Sequence, residues 1–189
     1  MRTLLIVTLL AAAGAVRAGE LESLTAETRA EVAQILPRVS GMMKSAVEAE
    51  GVAAAIPVCK DKAPQLMAEK ADALGWKIRR VSLKTRNPER ATPDAWEAER
   101  LAAFDARAAA GEAPASLEVA EIVSDGEGRR VFRYMKALPV APVCVQCHGE
   151  QANMAPELVQ ALARDYPHDA ATGYAPGQIR GAVTVQRPL

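Results

Sequence analysis

Cys144-Val145-Gln146-Cys147-His148 constrains this chain more than any other stretch. C-x-x-C-H is the attachment signature of c-type haem. Two thiols three residues apart can each form a thioether to one haem vinyl group, and the next residue is then held under the iron as an axial ligand. The residue types are scarce: the chain has three Cys and two His in 189 residues, and three of those five fall in this pentapeptide. A C-x-x-C redox pair needs no histidine. A zinc site lacks a second Cys or His pair to complete four ligands. The motif predicts one covalent haem c, with Cys144 and Cys147 as thioether donors and His148 on the iron. Aromatic residues are 4% of the chain, so the core has to be built from aliphatics and from the haem itself.

The N-terminus points to an oxidising compartment. Arg2 is a short basic region, Leu4 to Val16 is almost wholly apolar, and Val16-Arg17-Ala18 fits the small-x-small cleavage rule. This reads as a signal peptide, residues 1–18, cut after Ala18. The apolar run is about 13 residues, against about 20 for a membrane span. The mature chain, 19–189, reads as a single periplasmic domain with no stable membrane insertion after cleavage. It carries 21 basic and 23 acidic side chains, and no basic excess or cationic stripe of the kind that nucleic acid requires.

Along the chain, Leu21 to Glu50 has helical apolar spacing, with Thr25 as N-cap and Pro37 as a kink or break. Val52 to Leu74 reads as a second helical region, interrupted by Pro57 and Pro64 and stopped by Gly75. Trp76 to Leu83 alternates as a half-buried strand does. A helix is expected from about Pro93 to Ala110, capped by Thr92. Leu117–Val123 and Arg130–Ala137 flank Ser124-Asp125-Gly126-Glu127-Gly128, a hairpin signal. Pro156–Asp165 reads as a short helix, and Ile179–Gln186 as a last strand. The fold class is α+β: an antiparallel sheet with helices on one side. Common small c-type cytochromes are mainly helical; here 41 residues follow His148 and a hairpin precedes Cys144, so neither helical type fits.

Cys59 is left over. It is either a buried apolar side chain or the second axial ligand, where a thiolate would lower the iron potential. His168, in Asp165-Tyr166-Pro167-His168-Asp169, is the other histidine; it leaves His/His ligation open and otherwise reads as an exposed loop residue. Met42, Met43, Met67, Met135 and Met154 are core fillers before they are ligands. Arg79, Arg80, Lys84 and Arg86 lie on or after one strand. By alternation Arg80, Lys84 and Arg86 share a face and are candidate partners for the haem propionates, with Arg79 on the other face.

Several blocks together resemble a known family. They are Ala55-Ile56-Pro57-Val58-Cys59 with Ala63-Pro64; Arg80 to Pro88 with Pro93-Asp94-Ala95-Trp96-Glu97; Cys144 to Gly149; and Tyr166-Pro167, Asp169-Ala170, Gly173-Tyr174, Gly177 and Arg180-Gly181-Ala182. The chain resembles the exported mono-haem proteins long grouped as a domain of unknown function, a haem-binding domain also found on some bacterial sensor kinases. The resemblance covers almost all of the mature chain. It implies a PAS-like α+β fold and a Cys/His axial pair, which falls on Cys59 and His148 here. Arg90 departs from the pattern, where a small amide residue is expected. The resulting expectation is a redox or diatomic-gas sensor-like protein, with CO or NO as ligand and output through a redox or signalling partner protein. A plain electron-transfer cytochrome is the alternative. A peroxidase or nitrite reductase needs an open iron and distal acid–base residues, so the chain reads as non-enzymatic.

Overall fold

The computed structural model describes residues 4–189, with side chains from Arg17 onward. Of the leader expected at 1–18, residues 1–3 lie outside that description and 4–16 are described in backbone alone. Among the described residues no helix is long and apolar enough to cross a membrane.

Strands β1 (Lys77–Val81), β2 (Glu118–Ser124), β3 (Arg130–Pro139) and β4 (Ile179–Pro188) form one antiparallel sheet, ordered β1-β4-β3-β2. The β2–β3 hairpin closes where expected: the Asp125 carboxylate accepts from the Glu127 and Arg129 amides, and Gly128 takes φ 78°. The last strand lies between the first and the third.

Helix α1 (Leu4–Glu50) and helix α2 (Ala63–Leu74) cover one face of the sheet. Val32 and Ile35 of α1 and Met67 and Ala71 of α2 pack on Ile78, Phe132, Tyr134, Val183 and Val185. Helix α3 (Ala95–Ala109) covers the other face, where Leu101 and Phe104 meet Val81, Met135, Ala137 and Ala182. The expectation of helices on one side is therefore corrected. Neighbours such as Tyr134 and Met135, or Ala182 and Val183, point to opposite faces and are all fully buried. A sheet that is apolar on both faces needs cover on both.

Two helix starts also differ from expectation. Thr25 lies inside α1, and its hydroxyl donates to the Leu21 carbonyl at 2.6 Å. Helix α3 is capped by Asp94, not Thr92: Asp94 accepts from the Glu97 amide while the Glu97 carboxylate accepts from the Asp94 amide, a reciprocal capping box. Pro37 neither splits nor ends α1; it sits on the exposed side, where a carbonyl left without its amide partner can be hydrated. Gly75 ends α2 in the left-handed conformation, φ 66°, as its position suggested.

Glu97 pins α3 to the sheet. Its carboxylate is fully buried and meets Arg79 of β1, Arg133 of β3 at 3.2 Å and the Thr184 hydroxyl of β4 at 2.9 Å. On the far side, helix α4 (Pro156–Asp165) buries Leu158, Ala161 and Leu162 against Ile56, three residues before Cys59.

Candidate functional site

The motif occupies two short helical turns, Pro142–Cys144 and Val145–His148, ended by Gly149. A side chain at 149 would bring a Cβ within 2.6 Å of the Val145 carbonyl oxygen, so the turn closes only on glycine. Three successive carbonyls are then claimed from elsewhere in the chain. Cys147 accepts from Arg86 at 2.5 Å, His148 from the Tyr174 amide at 2.8 Å, and Gly149 from the Gly173 amide at 2.8 Å. Arg86 is itself held by Asp169 at 2.9 Å.

His148 is oriented by the same loop. Its Nδ1 lies 2.7 Å from the Ala171 carbonyl oxygen, and a carbonyl can only accept, so Nδ1 carries the proton and Nε2 is left unprotonated. Burial, followed by the charges of Arg180 and Arg86, pushes its pKa down to about 2. The imidazole is neutral, as a metal ligand must be. Burial pushes the Cys147 thiol up to about 11.

Cys59 sits in a π-helical turn, Val58–Lys62, wedged between Ala55–Pro57 and α2. The cause is local. Pro64 has no amide to give the Lys60 carbonyl, so regular pairing fails there and the Ala63 amide reaches back to Val58. Arg90 supplies the missing donor, its Nη1 lying 2.7 Å from the Lys60 carbonyl oxygen. Lys60 also pairs with Asp165 of α4 at 2.8 Å. The Cys59 turn is thus fastened on two sides.

Two cavities, of about 450 and 480 Å³, share Cys59, Met67, Arg80, Arg86, His148, Tyr166 and Arg180 as walls. The larger is lined by Cys144, Cys147 and apolar residues of α1 such as Ile35, Leu36 and Val39. The smaller adds Lys60, Arg79 and Arg90. The joint space is apolar at the cysteine end and mainly cationic at the other, where Glu89 is the one acidic lining residue, and Cys59 and His148 border both parts. A haem has vinyl groups on one side and two carboxylates on another, and these residues fit it.

The Tll0287-like family profile matches residues 11–188. The chain belongs to the Tll0287-like family. No curated protein matches it. Among solved structures it is similar to the crystal structure of the cyanobacterial heme-protein Tll0287, with 23% identity, a TM-score of 0.64, and coverage of 86% of this chain and 95% of that one. That likeness bears out the α+β fold: a long N-terminal helix on a four-stranded antiparallel sheet.

Within this Tll0287-like domain, the other residues picked from the sequence divide. Arg80 and Arg86 line both cavities, while Arg79, which borders only the smaller one, sends its guanidinium to Glu97 on the opposite sheet face, as alternation required. Lys84 is past the end of β1; it reaches the Thr172 carbonyl and the Tyr174 ring and borders neither cavity. His168 is exposed and Met135 is buried on the α3 face. Met67 borders both cavities and Met43 the larger. Tyr166 and Arg180 were not singled out as site residues. Their signal was their place in the quoted family blocks, not their spacing.

Proposed function

We propose that this chain carries one haem covalently, through thioethers to Cys144 and Cys147, with His148 and Cys59 as axial ligands. It would act in the periplasm as a redox or diatomic-gas sensor-like protein and not as an enzyme. The observation that carries the reading is that Cys59, brought from 85 residues upstream of Cys144, borders the same two cavities as His148. The haem would supply a one-electron couple and an exchangeable axial position. The chain's own residues do the rest. The Ala171 carbonyl fixes the His148 tautomer, Arg86 holds the motif's backbone, and apolar side chains of α1 line the larger cavity. Cys59 is the exchangeable side. It rests on a π turn, a helical irregularity often found at functional sites, and its withdrawal would loosen the contacts of Lys60 with Arg90 and Asp165. Of the three, Arg90 is exposed, and a partner would read the change there.

The test is electron paramagnetic resonance of the oxidised protein beside Cys59→Ala. Thiolate ligation gives a low-spin signal with a narrow g spread that the variant lacks; an unchanged spectrum rejects Cys59 and points to Met67. Addition of CO to the reduced protein tests the sensor reading, which fails if Cys59 stays bound. Electron transfer is the second reading. It is favoured by Val143, 42% exposed beside Cys144, which would leave the haem edge near solvent. Fast electron exchange without a ligand change would select it.

A further inference from the structure

Arg180 is a buried cation that the attachment motif and the axial pair leave unexplained. It is 8% exposed and pairs with no carboxylate among the described residues. Nη1 donates to the Ser82 hydroxyl at 2.8 Å and the Lys84 carbonyl at 3.2 Å, and Nε lies 3.2 and 3.4 Å from the two ring nitrogens of His148. Nη2 has no protein partner among the described residues. A guanidinium so placed is costly unless an anion meets it.

The backbone sends it there by an irregularity. The β3–β4 ladder pairs Leu138 with Gly181 and then Pro139 with Ile179, so Arg180 is an extra residue on β4. Strict alternation would put Arg180 on the face of Ala182, under α3. Instead Ile179 packs with Ala182 there, and Arg180 borders the cavities beside Val183. Gly181 makes the bulge, with φ 152° and its Cα hydrogen facing the Val81 carbonyl too closely for any Cβ.

The other cations bordering the smaller cavity are mostly committed. Lys60 pairs with Asp165, Arg79 with Glu97 and Arg86 with Asp169, and the exposed Arg90 holds the Lys60 carbonyl. Arg80, like Arg180, has no ion pair among the described residues, and both border both cavities. Two guanidiniums that both border both cavities and lack a carboxylate among the described residues face a space that, on the haem reading above, receives two carboxylates.

We propose that Arg180, delivered by the β4 bulge, and Arg80 are the paired anchors of the two haem carboxylates, and that their charge helps to set the iron potential. Each guanidinium offers a planar fork matched to a carboxylate. Without one of them a half-buried carboxylate is left uncompensated. That favours the oxidised, more positive iron, and the potential falls.

The experiment uses the full chain matured with haem, its reduction potential measured by titration and its propionate vibrations by resonance Raman. Arg180→Gln and Arg80→Gln should each lower the potential and shift the propionate band. Arg180→Lys, which keeps the charge, should stay near the parent potential, as should Lys77→Gln, an exposed charge on β1. Parent potentials in both Gln variants overturn the proposal, and so does an equal fall in Arg180→Lys, which would make Arg180 a brace for His148. If Arg180→Gln does not fold, an unmoved potential in Arg80→Gln overturns the pairing. Mass spectrometry separates the two levels: a parent protein without covalent haem defeats the haem reading and the anchors with it, whereas haem present with unmoved potentials defeats the anchors alone.

Discussion

The Ala171 carbonyl accepts the Nδ1 proton of His148 at 2.7 Å, and Asp169 holds that carbonyl's residue in place. One Asp169 oxygen accepts from the Ala171 amide at 2.8 Å, and the other pairs with Arg86 at 2.9 Å. His148 is therefore oriented by a carboxylate it never touches, which is how ligand histidines are commonly fixed.

Asp169→Ala removes that support and leaves Arg86, 12% exposed, without its anion. Breaking a largely buried pair from one side costs about 3 kcal/mol. Urea unfolding should show the loss, and Asp169→Asn, which can still accept from Ala171, should lose less.

Gly181→Ala should be severe for a different reason. The backbone has φ 152° there, and a Cβ would stand 2.3 Å from the Val81 carbonyl oxygen. The β1–β4 pairing must open to admit it. A loss of about 2–3 kcal/mol is expected, seen as a lower Tm. A variant with the parent Tm would show that β1 can yield at this point.

Glu97→Ala strips Arg79 of its anion, Arg133 of one of two carboxylates, and Thr184 of an acceptor. The expected loss is about 3–5 kcal/mol. Thr184→Val removes only one hydrogen bond of this cluster and should cost about 1 kcal/mol. Guanidinium titrations of the two variants separate the buried charge from the hydroxyl.

Acid should destabilise the fold through Asp94 and Glu118. Burial works to raise both, but hydrogen bonds from Arg133 to Asp94, and from Arg29 and Tyr134 to Glu118, outweigh it and hold both below the ordinary carboxylate range. A folded pKa below the unfolded one gives stability that is complete above about pH 4 and lost as the pH falls through the folded values. Unfolding free energy should thus be insensitive to these groups from pH 7 to about 5 and drop below about 4. Asp94→Asn should flatten that drop.

Much of this was legible beforehand, because the signals were local. The four strands, the hairpin at Asp125 and Gly128, the Gly75 stop and the α4 span all follow from alternation, turn chemistry or helix ends. The helix start at Asp94 was misplaced by two residues because Thr92 and Asp94 are both good caps, and only the reciprocal bond with Glu97 decides between them. Cover on both sheet faces was missed because β3 and β4 carry apolar residues at successive positions, which period alone does not assign to a side. The π turn at Cys59 and the bulge at Arg180 were illegible for a common reason: each is a one-residue slip in hydrogen bonding. A slip of that size leaves composition unchanged and redirects a side chain. Lys84 shows the converse, since alternation was extended past Val81, where the strand ends.

The central position of β4 has a consequence in time. Chains emerge from synthesis N-terminus first, so Cys144 to His148 precede Ala171, Gly173, Tyr174 and Arg180, and β1 and β3 wait for the strand that lies between them. Contacts of such long sequence separation form late. The two thiols therefore stay open until the segments that hold their turn arrive, and completion of the last ten-residue strand is the event that shuts the cavity behind them.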